Sequence, residues 1–194
     1  MQKGVFFKGL EKEPHMNGNK ALAKTGDGFS LIELMVIMGI LAILAAATIP
    51  TFSAWLPNYR LRSAAQDLYS AFQLAKMQAV KNRADTDVNF DPSGSGSYTM
   101  PDGSTVVNLA SYKSGVRLGR GNATRQEDNS TAFGSDFVIT TPNANQIQFN
   151  STGLGSNRGF IYIQNEKNTA YAIGSRASGV VILKQWDETD GQWE

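Results

Sequence analysis

At 194 residues, with 41% hydrophobic and 18% charged positions, the chain has the composition of a folded protein with room for one domain and one membrane segment, which excludes a wholly disordered chain. A net charge of +1 does not by itself imply a nucleic-acid partner. The absence of cysteine excludes disulfides, thiol catalysis and cysteine metal sites, so the fold must hold by packing alone.

Residues 1–28 carry Lys3, Lys8, Lys12, Lys20 and Lys24 against Glu11, Glu13 and Asp27, with neither a helical nor a strand period. They read as a leader, beginning at Met1 or at Met16. Lysines directly before an apolar segment hold that end in the cytoplasm, which places everything after Ile49 across the membrane.

The apolar run that opens at Gly28-Phe29-Ser30-Leu31-Ile32-Glu33-Leu34 continues to Ile49 and contains one carboxylate. A charged side chain in such a segment costs on the order of 2–3 kcal/mol or more unless something pairs with it. Glu33 therefore implies either a partner or a side chain that reaches the lipid interface. A helix over 29–49 would be about 31 Å long at about 1.5 Å per residue, enough to cross the hydrocarbon layer. Ala45-Ala46-Ala47 could serve an ordinary secretory peptidase instead, in which case the run would be discarded.

The stretch Gly28-Phe29-Ser30-Leu31-Ile32-Glu33-Leu34-Met35-Val36 closely resembles the class III signal of type IV pilins and type II secretion pseudopilins. That resemblance implies cleavage between Gly28 and Phe29 by a prepilin peptidase, N-methylation of the new Phe29 amine, and retention of the apolar helix. It further implies an inner-membrane protein with one span and a periplasmic C-terminal domain. An inner-membrane assembly platform would then draw it from the lipid into a filament of other pilins or pseudopilins. Glu33 lies one helical turn from Phe29, so its expected partner in the filament is the amine of the next subunit, which would set the axial stagger.

Gly39, Ala42, Ala45, Ala46 and Ala47 give the helix a thin face for close packing. Pro50 cannot donate to Ala46, and a kink or local melting is expected there and at Pro57. In the family resembled, the helix is thought to loosen at the position of Pro50 on assembly. The expected division is a leader over 1–28, a transmembrane and assembly helix over 29–56, and a globular pilin domain over 57–194.

From Pro57 the pattern turns amphipathic. Leu61, Ala65, Leu68, Phe72, Ala75 and Ala79 recur at helical spacing and predict a helix over 57–83 that lies against a sheet. Lys76, Lys81 and Arg83 sit where cations complement the helix dipole, and residues 82–85 look like the stop. The β domain, 84–194, reads as short strands over 86–90, 97–100, 105–109, 115–118, 136–140, 146–149, 159–164, 169–173 and 179–184. The polar segment 119–131 is long enough to be a mobile loop, with Arg117, Arg120 and Arg125 in or beside it.

The helix with Ala75-Lys76-Met77-Gln78-Ala79-Val80, a strand at 86–90, then Ile147-Gln148-Phe149-Asn150-Ser151-Thr152-Gly153 followed by closing strands, resembles the GspH/FimT family of minor pseudopilins and minor pilins. The fold class implied is α+β: a long N-terminal helix packed on a C-terminal antiparallel sheet. The function implied is that of a structural subunit helping to assemble a type IV pilus or a type II secretion pseudopilus.

Catalysis finds no foothold, because the single histidine, His15, lies in the leader; no cofactor or metal is expected. Asp85, Asp87 and Asp91 alternate as cation ligands might but read better as a strand edge and turn. Gly153-Leu154-Gly155 with Arg158-Gly159 lacks the lysine and following helix of a phosphate loop and reads as a hairpin turn. The alternative function is DNA capture in natural transformation, which some pilins of this branch perform through a glycine-arginine-any-arginine motif near the C-terminus. Here Ser178-Gly179-Val180-Val181-Ile182 stands at that place, with Val180 where the arginine belongs. Arg176 and Lys184 flank it, and Arg117, Arg120 and Arg125 could substitute. Without the leader the chain has 13 basic and 14 acidic residues, too balanced a charge to favour DNA.

Overall fold

The computed structural model describes residues 28–134, 138–141 and 145–194, without the side chains of 47, 49–51 and 138–141. Two compact units separate, Met1–Ile43 and Leu44–Glu194.

Helix α1, Leu31–Asn82, continues through both prolines. Local melting at Pro50 and Pro57 is therefore not found: each ring withholds one N–H, and the surrounding turns keep their own bonds. The helix ends on a 6→1 bond from Ala84 N–H to the Ala79 carbonyl (3.2 Å), with Arg83 in the left-handed region at φ 52° where glycine is more usual. This is the stop expected at 82–85.

Among the described residues ten strands follow: β1 Thr86–Asp91, β2 Ser97–Thr99, β3 Val106–Asn108, β4 Arg117–Leu118, β5 Val138–Thr141, β6 Gln146–Phe149, β7 Gly155–Gln164, β8 Ala170–Ser175, β9 Val181–Asp187 and β10 Gln192–Trp193. A short 3-10 helix, Leu109–Tyr112, follows β3, and Asn108 caps it by accepting from Ala110 N–H at 2.8 Å. All described pairings are antiparallel, in the order β10-β9-β8-β7-β6-β1-β2-β3. β7 organises the sheet. One of its edges pairs with β8 over Gly159–Gln164. The other edge receives β6 at Gly155 and Asn157, then β5 at Arg158–Ile161, then β4 at Ile163 and Gln164.

Each face of the sheet has its own core. Ile161, Ile163, Tyr171 and Ile173 meet Val88, Phe90, Ile147 and Phe149 against the buried stripe of α1, where Leu61, Ala64, Ala65, Leu68, Ala71, Phe72, Ala75 and Ala79 lie. All six helix positions expected on the sheet side are buried, and each fully buried Leu or Phe among them contributes about 1.5–3 kcal/mol. The opposite face carries Phe160, Tyr162, Ala170 and Ala172, packed with Ala123, Phe133, Trp186 and Trp193.

That second layer corrects the expectation of a mobile loop at 119–131. The segment is a flap laid over the sheet and held by bonds along its length. Gly119 N–H donates to the Tyr162 carbonyl (2.9 Å) and Asn122 N–H to the Asn168 carbonyl (2.9 Å). The Trp193 indole donates to the Arg125 carbonyl (2.6 Å), and its backbone N–H donates to Asn129 Oδ1 (2.7 Å). The flap folds back on itself where Arg125 bridges Ala132, and Asp128 accepts from Ser130 N–H, Thr131 N–H and Thr131 Oγ1. Gly121 is required at its entry, since φ is 56° and a Cβ there would overlap the Asn168 carbonyl.

Candidate functional site

The start of α1 is built from the cleavage-like motif itself. Ser30 is its cap: the hydroxyl accepts from Ile32 N–H at 3.2 Å and the carbonyl from Leu34 N–H at 3.1 Å. Glu33 falls in the first helical turn, where a carboxylate suits the exposed N–H groups and the helix dipole. Gly28 and Phe29 precede the helix and are exposed, and nothing stands within 4 Å of a Cβ built on Gly28.

From Leu31 to Ala46 every side chain of α1 is exposed, including Leu34, Val36, Ile40, Leu41, Ile43 and Leu44. Gly39 has open space on its side as well. A helix segment that is apolar on all sides is ordinarily covered, by protein or by lipid. No helix among the described residues is long and apolar enough to cross a membrane. The sequence from Leu34 to Ile49 carries no charge. Pro50 lies within α1, its side chain outside the described set.

The cations considered for DNA do not form one open surface. Lys184 is half-buried and donates to the Glu127 carbonyl at 3.0 Å and the Trp193 carbonyl at 3.4 Å. Arg120 lies over the Phe133 ring, its guanidinium carbon 5.4 Å from the centroid, and Arg125 donates to the Asn129 carbonyl at 3.1 Å. Lys184 thus ties β9 to the flap, while the two arginines brace the flap internally. Arg117 on β4 and Arg176 in the β8–β9 turn are exposed. At that turn Gly179 (φ 71°) presses its Cα against Gly153, and Lys76 Nζ donates to the Gly179 carbonyl at 2.8 Å. Lys76 thus ties the helix to the turn rather than serving only the helix dipole.

The flap also contains a buried polar centre that sequence reasoning missed. Tyr162, fully buried on β7, donates its hydroxyl to Glu127 Oε2 at 2.6 Å and accepts from Glu127 N–H at 3.3 Å. Burial first, and then the bond to the Glu127 carboxylate, raise its phenol well above the ordinary tyrosine range. The available signal was the unbroken apolar run Phe160-Ile161-Tyr162-Ile163, since a strand apolar at every position is covered on both faces.

The acidic candidates serve the fold. Asp87 accepts from Gln148 Nε2 at 2.7 Å across the β1–β6 pair, and Asp91 caps the following turn through Ser93 N–H at 2.9 Å. That bonding to Ser93 lowers the Asp91 carboxyl below its usual range. Gly153 closes a turn on the Asn150 carbonyl before β7. Carboxylates of Asp187, Asp190 and Glu194 gather within 4.8 Å of one another beside β10. Residues 1–27, His15 among them, lie outside the described residues.

Two family models match the chain. The model described as "Type II transport protein GspH" matches residues 64–184, more than half the chain, and the model described as "Prokaryotic N-terminal methylation motif" matches residues 27–49. The second interval contains Gly28, Phe29 and Glu33; the first contains the amphipathic part of α1 from Ala64 onward and the strands through β8 into β9. Comparison with curated proteins and with solved structures yields no match.

Proposed function

The chain belongs to the GspH family of type II transport proteins, and from that premise we propose that it is a minor pseudopilin acting as a structural subunit in the assembly of a type II secretion pseudopilus. At the coarser level it is a pilin-like subunit carrying the prepilin N-terminal motif, within a family of structural proteins. The observation that carries the finer reading is the contrast within α1. Its apolar first part is exposed on all sides, whereas the stripe from Leu61 to Ala79 is buried. Such a helix is an anchor and assembly element joined to a self-sufficient domain.

In this reading a prepilin peptidase cuts between Gly28 and Phe29, the Phe29 amine is methylated, and the mature chain waits in the inner membrane with its C-terminal domain in the periplasm. Other pseudopilins then replace lipid around α1, and Glu33 pairs with the amine of the neighbouring subunit. Pro50 marks the part of the helix that would yield on assembly. N-terminal sequencing of the membrane-bound protein tests the processing. A mature start at Phe29 is expected, with a longer precursor accumulating in Gly28→Ala or, more surely, a bulky replacement. A start at Ala47 or Thr48 would mean ordinary secretion. Deletion of the gene should reduce secretion or filament number.

A further inference from the structure

We propose that Phe52, Trp55 and Tyr59 form an aromatic anchor that seats the start of the globular domain in the headgroup layer of a phospholipid bilayer. The proposal rests on the membrane-anchored reading above. On a helix of about 3.6 residues per turn these three side chains share one face. All are about half exposed or more, at 59%, 54% and 54%, although each is a large aromatic. Trp55 stacks on Tyr59 with centroids 4.8 Å apart, and Phe52 lies 6.5 Å from Trp55.

The same turns are tied to the domain from beside the stripe. Asn58 Oδ1 accepts from Asn165 Nδ2 at 2.8 Å and Thr169 Oγ1 at 3.1 Å, while Lys167 Nζ donates to the Ala54 carbonyl. Beside those ties the three rings stay about half exposed or more.

Position along the chain selects the occupant. The apolar run ends at Ile49. Phe52 and Trp55 follow by about 4.5 and 9 Å of helix at about 1.5 Å per residue. The headgroup layer is roughly 5–8 Å thick on each side, and helical side chains lean back toward the N-terminus, here toward the lipid. Both rings then fall at the level where Trp and related aromatics partition, with the apolar ring in acyl chains and the polar edge wet. Tyr59 braces Trp55 from the water side. Lys167, which donates to the Ala54 carbonyl at about that level, supplies positive charge for phosphate groups.

The three tryptophans of the chain make the test direct, because Trp186 and Trp193 are buried at 5% and 3% exposure. The full chain is reconstituted in vesicles of phosphatidylethanolamine and phosphatidylglycerol, and the Trp55 emission is isolated as the difference from Trp55→Phe. Lipids brominated just below the headgroup should quench that component several-fold more than lipids brominated near the bilayer centre or aqueous iodide. Dominant quenching by iodide, or by the deep bromines, overturns the proposal. So does quenching that varies with protein-to-lipid ratio in unbrominated vesicles, which would assign the stripe to a second copy of the chain. Flotation of the same vesicles separates the two readings: protein that fails to float sinks the membrane anchor and this inference together, whereas floating protein with Trp55 in water sinks this inference alone.

Discussion

Glu33 is the residue on which the assembly reading turns. It stands in the first turn of α1, three positions after the capping Ser30, a spacing that favours helix initiation in water as well as in a membrane. Capping alone would make Glu33 a stabiliser of one helix end, worth about 1 kcal/mol or less. Pairing with a neighbouring Phe29 amine would make it a selector of stagger, because a carboxylate left unpaired in an apolar bundle is heavily penalised. The two roles give different outcomes. Glu33→Leu should still insert and be cleaved, since the change makes the helix more compatible with lipid, but recovery in sheared filaments should fall several-fold. Normal incorporation, measured by fractionating cells and filaments, would reduce Glu33 to a cap or an interfacial side chain.

The flap over 119–134 is the element whose behaviour the structure makes most testable. Its anchor is a phenol, so its stability should depend on alkaline pH, beside the acid dependence that Asp128 brings through a carboxyl lowered by its bonds to Thr131 and Ser130. Tyr162 has a pKa raised in the folded state by burial and by Glu127, so its contribution is fully present below the unfolded tyrosine value of about 10 and is lost as pH rises above it. Tyr98 and Tyr171 are raised in the same sense, chiefly by burial, as is Tyr112, which also donates to Asp67 Oδ2 at 2.7 Å. Thermal stability should therefore be level from about pH 5 to about pH 9 and fall above about pH 10. Tyrosinate absorbance from these residues should appear together with the loss of near-ultraviolet circular dichroism. A gradual titration near the ordinary value, with the fold intact, would contradict the buried bonding. Tyr162→Phe should flatten the alkaline decline while weakening the flap at neutral pH by about 1 kcal/mol, the size of one hydrogen bond.

For the molecule as a whole, charge and its placement decide between assembly and DNA capture. Of the five cations considered, three are engaged with carbonyls or an aromatic ring of the flap. Beginning at Phe29, the chain would carry 13 basic and 14 acidic residues. Few counterions would be released on contact with a duplex. Binding of double-stranded DNA should then stay at the weak end of the roughly 10⁻⁴–10⁻⁶ M range of non-specific association at physiological salt, with a shallow salt slope. A gel-shift titration across salt checks this. Tighter binding that weakens steeply with salt, and disappears when Arg117, Arg120 and Arg125 are replaced by alanine, would establish the alternative function and make the flap a DNA-capture surface.

What the sequence determined by itself are the features written in local spacing. The motif from Gly28 to Glu33, the apolar run after it, the buried stripe from Leu61 to Ala79, and strands such as β1 and β6 follow from residue types at fixed offsets, because helix and strand periods are properties of a few consecutive residues. Tertiary structure alone decided the rest. β10 is two residues long and shows no period, and the first part of β7, Gly155 to Arg158, has no alternating apolar pattern; both exist because a neighbouring strand supplies their bonds. The flap is polar in composition and so looks like a free loop. It is fixed instead by what lies beneath it, an apolar sheet face formed by strands far apart in sequence, and no local pattern in residues 119–131 can carry that information.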